Sequence, residues 1–368
     1  MGLRILLLTT DAYGGHGGIA LYNRDIAEAL AEIPEVDEVV VIPRNMPLSP
    51  EPIPGKIRFL PEATGGKANY IRTAIREARK HYDLVICGHI NLLPLAVLLN
   101  LYIRAPLALM VYGIDVWQSP SALAPHWIKK ADAVWSISAI TRDRMNAWAG
   151  LPDESYVLLP NAIHLERYGM AEKRSDLVSR YGLDGSKLIM TLARLLDTER
   201  YKGVDEVLEV MPGLLKAEPR LKYIVAGDGN DCPRLEAKAR ALGLADRVVF
   251  AGMISEADKA DHFRLADVFV MPGRGEGFGF VFLEALACGV PAVGSKVDGS
   301  REALRDGMLG ELVDPIDPAS IRQGILAALS KPKGIPEGLS YFAWLAFSSR
   351  VSTAVLGLLG QQTGKIRL

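Results

Sequence analysis

The stretch Pro272-Gly273-Arg274-Gly275-Glu276-Gly277-Phe278-Gly279, running on through Glu284 to Gly289-Val290-Pro291, decides how the rest of the chain is read. Ahead of it, residues 267–271 (Asp-Val-Phe-Val-Met) read as a short buried strand, and behind it residues 280–288 read as a helix. A glycine-rich loop joining a strand end to a helix start presents backbone N–H groups and the positive end of the helix dipole to a phosphate. Gly277 and Gly279 lack a Cβ and let a ligand approach the backbone closely. Glu276 in the loop and Glu284 in the helix would repel that phosphate. An ionised carboxylate only accepts hydrogen bonds, so hydroxyl groups are their natural partners. A sugar nucleotide, with phosphates, a ribose and a sugar, satisfies both features.

Outward from this stretch, strands and helices alternate. Residues 4–10 form an apolar strand without polar alternation, as a parallel strand buried on both faces requires. The loop Gly14–Gly18 and a helix over 19–31 follow. Further strands are predicted at 39–42, 57–59, 84–87, 107–111, 133–136 and 156–159, with helices over 69–81, 93–102 and 141–148. A second series starts after Pro160-Asn161, with strands at 188–192, 223–226, 248–250, 268–271, 292–294 and 310–312 and helices over 204–216 and 234–242. The pattern specifies an α/β protein of two doubly wound parallel sheets, with ligands in a cleft at the strand ends. The expected division is 1–160, 161–340 and a terminal segment 341–368, whose apolar helix starts at Tyr341.

Composition removes several classes. The net charge of −1 over 368 residues gives no electrostatic ground for a nucleic-acid partner. Three scattered cysteines suit a reducing cytoplasm and argue against disulfide or zinc frameworks. No Asp-x-Asp follows a strand end, so no metal and no cofactor is expected. Residues 84–103 carry no Asp, Glu, Lys or Arg and approach the length of a membrane span. Gly88, His89, Asn91, Pro94 and Asn100 interrupt them, so they read as strand, loop and helix. The apolar run 3–8 is too short for a signal peptide.

Glu276-Gly277-Phe278-Gly279 with Glu284-Ala285 and Gly289-Val290-Pro291 resembles the Glu-x7-Glu motif of the retaining glycosyltransferases of family four, which have the GT-B fold. The resemblance implies a transferase that takes a nucleotide-diphosphate sugar and a glycan or lipid-linked acceptor. It also implies a last helix that crosses back to the first domain. It puts Arg194 and Lys202 against the donor pyrophosphate, where two fixed cations would stabilise the departing diphosphate. By the same resemblance Gly227 and Asp228 lie near the nucleoside, and the backbone of Met253 and Ile254 reads the base. Glu276 takes sugar hydroxyls and Glu284 the ribose. Phe278 and Gly279 hold phosphate through their N–H groups, and Gly17 and Gly18 close on the diphosphate from the first domain. Many relatives have His where this chain has Tyr112, and that His binds the donor sugar. Tyr112 is therefore carried over only as a sugar contact. Where the family often has Gly-Gly-x-x-Glu, this chain has Asp298 in place of the first glycine, followed by Glu302.

Other residues stand on their own placement. Asp115 suits a hydroxyl of acceptor or sugar. His89 and His16 lie on strand-end loops, and His89 suits an acceptor contact. The basic groups Arg72, Arg76, Arg79 and Lys80 at helical spacing offer a peripheral contact with the inner face of a membrane or a plain solvated face. Two competing readings remain. Gly15-x-Gly17-x-x-Ala20 fits a loose dinucleotide fingerprint, and Arg44 after the second strand would suit a 2′-phosphate, giving an NADP-dependent oxidoreductase. The Tyr at 112 would also suit a non-catalytic sugar-nucleotide-binding partner of another transferase.

Overall fold

Ile5, Leu6, Leu7 and Leu8 are wholly buried, because helices cover both faces of the sheet to which they belong. The computed structural model describes residues 2–15, 17–50 and 52–365; His16 lies outside the described residues. The chain divides into two units, Met1–Ala162 with Trp344–Leu368, and Ile163–Ala343.

The first unit holds β1 (Leu3–Thr9), β2 (Val36–Pro43), β3 (Ile57–Phe59), β4 (Leu84–Cys87), β5 (Leu107–Val111), β6 (Ala133–Ser136) and β7 (Tyr156–Leu158). They pair in the order β3-β2-β1-β4-β5-β6-β7, all parallel. The second unit holds β8 (Lys187–Leu192), β9 (Leu221–Ala226), β10 (Val248–Gly252), β11 (Val268–Val270), β12 (Ala292–Ser295) and β13 (Glu311–Val313). Their order is β10-β9-β8-β11-β12-β13, again all parallel. Both units are Rossmann-like. In each, the order reverses between the first and fourth strands, which opens a crevice at their carboxyl ends. That switch point lies between β1 and β4 in the first unit and between β8 and β11 in the second.

Helix boundaries depart from expectation at two informative places. The terminal helix runs Trp344–Lys365 rather than from Tyr341. Tyr341 and Phe342 sit on a 3-10 turn, Glu337–Phe342, in the second unit. The Phe342 carbonyl accepts the Ile163 N–H at 2.7 Å and Ala343 is extended, so that carbonyl is withdrawn from any helical ladder. Lys202 was expected to open a helix. It instead closes a 3-10 stretch, Asp197–Lys202, and Gly203 at φ 90° separates it from the helix Val204–Ala217. Residues 84–103 resolve into β4, a 3-10 turn and the helix Leu93–Ile103. Among the described residues no helix is long and apolar enough to cross a membrane.

Candidate functional site

Three loops of the second unit interlock at its switch point. The Arg274 N–H, after β11, donates to the Tyr201 carbonyl, after β8, at 2.8 Å. Gly203 approaches Pro272 so closely that a Cβ would stand 2.7 Å from its carbonyl oxygen. The Glu276 N–H donates to the Asp298 carboxylate, after β12, at 3.0 Å. These contacts set the Lys202 ammonium 2.7 Å from Glu276 Oε2, with both side chains largely buried. Burial works against the charged Lys202 amine, but the facing carboxylate outweighs it and holds the amine above the usual lysine range.

Immediately beyond Glu276, Gly279 at φ 95° caps the helix Phe280–Ala287 with no side-chain cap and no acid in the first turn. Its positive φ is open to glycine and strained for other residues. The N-terminus is left free to meet an anion. The Phe278 ring is core, 1% exposed and edge-on to Phe342 at 5.5 Å, so only its backbone faces the loop.

Arg194 is not gathered into the Lys202–Glu276 pair. Its side chain is 73% exposed and pairs with Glu199, although it lines one small hollow with Lys202, Glu199 and Asp205. Glu284 is 2% exposed. Its Oε1 accepts from the Tyr168 hydroxyl at 2.7 Å and from Lys259 at 2.9 Å. Gly227 donates to the Gly252 carbonyl at 2.8 Å. Asp228 accepts from the neighbouring Gly229 N–H and so holds its own turn. Met253 is exposed and Ile254 half-buried, just past edge strand β10. Along the sheet the candidate groups therefore fall in strand order: Met253 and Ile254 after β10, Asp228 after β9, the cations after β8, Glu276 after β11.

In the first unit, Gly17 at φ 90° caps the helix Gly18–Glu32, and both glycines are exposed. Asp115 accepts from the Tyr112 N–H at 3.3 Å. Burial, partly offset by backbone N–H bonds, pushes its carboxyl up to about 6.

The chain matches the model for glycosyl transferases group 1 over residues 177–340 and that for glycosyltransferase family 4 over residues 16–167. It belongs to the family-four glycosyltransferases. It is 33% identical over 211 residues to a GDP-mannose-dependent alpha-(1-6)-phosphatidylinositol monomannoside mannosyltransferase of Mycolicibacterium smegmatis, covering 55% of this chain and 54% of that protein. It is also 33% identical over 191 residues to a D-inositol 3-phosphate glycosyltransferase of Geodermatophilus obscurus, covering 50% of this chain and 42% of that one. The chain thus spans about half the length of the curated relatives it matches. The Anabaena protein HepE, solved in complex with UDP, superposes with a TM-score of 0.70 at 20% identity, over 99% of this chain and 100% of that one. At that identity the likeness is one of fold, and the fold is GT-B.

Within the family-four frame, two positions read differently in three dimensions. Tyr112, expected as a sugar contact, is 8% exposed. Its hydroxyl lies 2.7 Å from both Asn23 Oδ1 and the Gly88 carbonyl. A hydroxyl has one proton to donate, and here it is spent inside the unit, so Tyr112 braces the first sheet. Asp298 is 1% exposed and accepts from the Ser300 hydroxyl at 2.6 Å as well as from Glu276 N. Burial raises its carboxyl, partly offset by those bonds. An acid in place of the family's glycine thus anchors the loop that carries Glu276. Lys259, Tyr168 and Tyr201 escaped the sequence reading. Each lies far along the chain from the residue it supports, and none belongs to a spaced motif.

Proposed function

We propose that this chain transfers a sugar from a UDP- or GDP-linked donor to a hydroxyl of a glycan or lipid-linked acceptor in surface polysaccharide or glycolipid synthesis. In this reading anomeric configuration is retained and no metal takes part. The observation that carries the reading is the buried Lys202–Glu276 pair beside the uncapped helix start at Gly279. Lys202, with Arg194 at the rim, faces the diphosphate, and Glu276 accepts from sugar hydroxyls. Phe278 and Gly279 offer backbone N–H groups, and Glu284 takes the ribose. The acceptor oxygen bonds to the anomeric carbon as the bond to the phosphate oxygen breaks. The diphosphate leaves, taking the acceptor's proton, and the fixed cations stabilise the charge it gains. The similarity to a GDP-mannose-dependent mannosyltransferase supports a sugar nucleotide as donor.

Calorimetric titration with UDP, GDP and ADP in EDTA, then with the matching sugar nucleotides, tests this reading. One diphosphate is expected to bind without metal, and Glu276→Ala is expected to keep that binding while turnover falls. If no diphosphate binds to folded protein, the nucleotide-diphosphate donor assigned here falls.

Peripheral association with an anionic membrane belongs to the same proposal. The helix Leu93–Ile103 leaves Leu98, Leu101 and Tyr102 exposed, and the helix Lys67–Ala78, packed against it, exposes Ile71 and Ile75 beside Lys67 and Arg72. Apolar side chains flanked by cations suit an anionic lipid surface. The chain is expected to float with phosphatidylglycerol-containing vesicles, and Leu101→Glu with Tyr102→Glu to abolish flotation. Equal flotation of that double variant would remove the lipid contact.

A further inference from the structure

A cavity of about 370 Å³ opens at the end of the second sheet opposite the Lys202–Glu276 pair. Its lining comes largely from the strand starts. Lys187 begins β8, Arg220 directly precedes β9 and Asp267 directly precedes β11. Lys331 and Lys333 follow the helix Pro318–Leu329, and Lys173 precedes the helix Ser175–Arg180. All of these residues belong to the second unit. The candidate donor loops leave the carboxyl ends of the same strands, about 20 Å away along the six residues of β8. The cavity is therefore separate from the site described above.

Five cations and one acid line this cavity. Lys173 and Lys333 both reach the same oxygen, Asp267 Oδ1, at 3.0 and 3.9 Å, so two like charges stand side by side over one carboxylate. The other oxygen of Asp267 accepts the Leu188 N–H at 2.7 Å, which fixes the acid to the sheet. Lys333 also donates to the Arg264 carbonyl at 3.0 Å. Lys187 pairs with Glu218 at 3.0 Å and Lys331 with Glu311 at 2.6 Å. Arg220 is exposed, and no hydrogen bond or ion pair engages its guanidinium among the described residues. Three carboxylates thus answer five cations, and two positive charges are left over. Lys333 registers that surplus. Burial lowers its amine below the usual lysine range, the Lys173 charge lowers it further, and Asp267 offsets only part.

We propose that this cavity binds a small polar molecule bearing a phosphate monoester. Such a group carries a charge of about −1.5 to −2 at neutral pH, which matches the surplus at the wall. The Arg220 guanidinium, without a carboxylate of its own, grips two phosphate oxygens through parallel N–H bonds. The Lys173 and Lys333 ammoniums add point charges from two other segments, held in place by Asp267. A lone ion would leave most of the volume to water, whereas small-molecule sites start at about 300 Å³, so the phosphate comes attached to something larger. Leu329 is the one apolar side chain in the lining, which suits a sugar or polyol and gives nothing to a lipid tail or a nucleobase. A ligand held here does not reach the Lys202–Glu276 pair, so it is neither donor nor acceptor. The site does not depend on the transferase reading.

The test is calorimetric titration of the full chain with glucose 6-phosphate, with glucose and with sodium chloride at matched ionic strength as controls. Saturable binding is expected for the ester alone. Arg220→Gln and Lys333→Gln are each expected to weaken it about tenfold, with circular dichroism unchanged because neither side chain is fully buried. Lys202→Ala is expected to leave it unchanged. No saturable binding, or parental affinity in both glutamine variants, overturns the proposal. Loss of binding in Lys202→Ala assigns the phosphate to the donor loops and overturns it as well. Tighter binding of glucose 6-phosphate than of inorganic phosphate upholds an esterified ligand; the reverse order assigns the cavity to the free ion and overturns the ester. Binding confined to a polyglutamate peptide marks a protein-docking surface and overturns it too. A chain that takes the ester but no nucleoside diphosphate keeps this site and loses the donor assignment.

Discussion

Lys202→Ala is expected to lower kcat/KM by about 2–4 kcal/mol of transition-state stabilisation, roughly 30- to 1,000-fold. Two effects converge on this side chain. Its ammonium is the fixed charge that faces the departing diphosphate, and the dry setting makes that charge worth more than it would be in water. It also neutralises Glu276 at 2.7 Å, so its removal leaves a largely buried carboxylate where the anionic donor must sit. Lys202→Arg is expected to recover part of the rate, because the charge returns without the point geometry. Steady-state kinetics with the donor found by calorimetry would check the loss, and a rate within twofold of the parent would sink the role. The double variant with Glu276→Ala is expected to be strongly non-additive, as residues in direct contact are. Additive losses would mean that the pair does not act as a unit.

The second large effect is on stability. Glu284→Ala is expected to destabilise the second unit by about 3–5 kcal/mol, the cost of removing one partner from a buried ion pair. Lys259 is held above its usual range by Glu284 against the burial that opposes its charge. Without the carboxylate, the Tyr168 hydroxyl loses its acceptor and the amine keeps only the exposed Glu256 carboxylate at 2.6 Å. Glu284→Gln keeps an oxygen for Tyr168 but leaves the Lys259 charge balanced by Glu256 alone, so it should fall between the parent and Glu284→Ala. Urea unfolding followed by tryptophan-independent circular dichroism would measure the differences. A loss below about 1 kcal/mol for Glu284→Ala would show the pair to be weakly coupled and would free Glu284 for ligand alone. If the loss is as large as expected, weaker donor binding must be measured under conditions where the variant is fully folded.

The strand–loop–helix at 267–288 was legible because its glycines mark backbone demands that few other residues meet; Gly279 at φ 95° is one of them. The parallel sheets were legible because strands buried on both faces carry unbroken apolar runs, as Ile5 to Leu8 do. The residues that hold the site in place were not. The Tyr112 hydroxyl finds Asn23, 89 positions away, and Tyr168 finds Glu284 across 116 positions. No local periodicity encodes such a meeting. Asp298 was visible only as a departure from the family's glycine, and its bond to the Glu276 N–H gives that departure a physical meaning. Lys202 was placed correctly beside a helix but on the wrong side of its start, because Gly203 reads equally as a first-turn residue until its φ is known.

The terminal helix carries a consequence for how the chain is made. Trp344 donates to Glu32 across 312 positions, and the Phe347 ring packs edge-on against Tyr22 at 5.9 Å. Synthesis is vectorial, and domains tend to fold as they emerge. The segment 163–343 has its whole sheet available before residue 344 leaves the ribosome. The amino-terminal unit, translated first, is therefore the last to be finished, and for the time needed to make 181 residues Tyr22 and its neighbours present an unsealed apolar seam. A pause or a premature stop in the second half of the message would be felt as an unfinished first half of the protein.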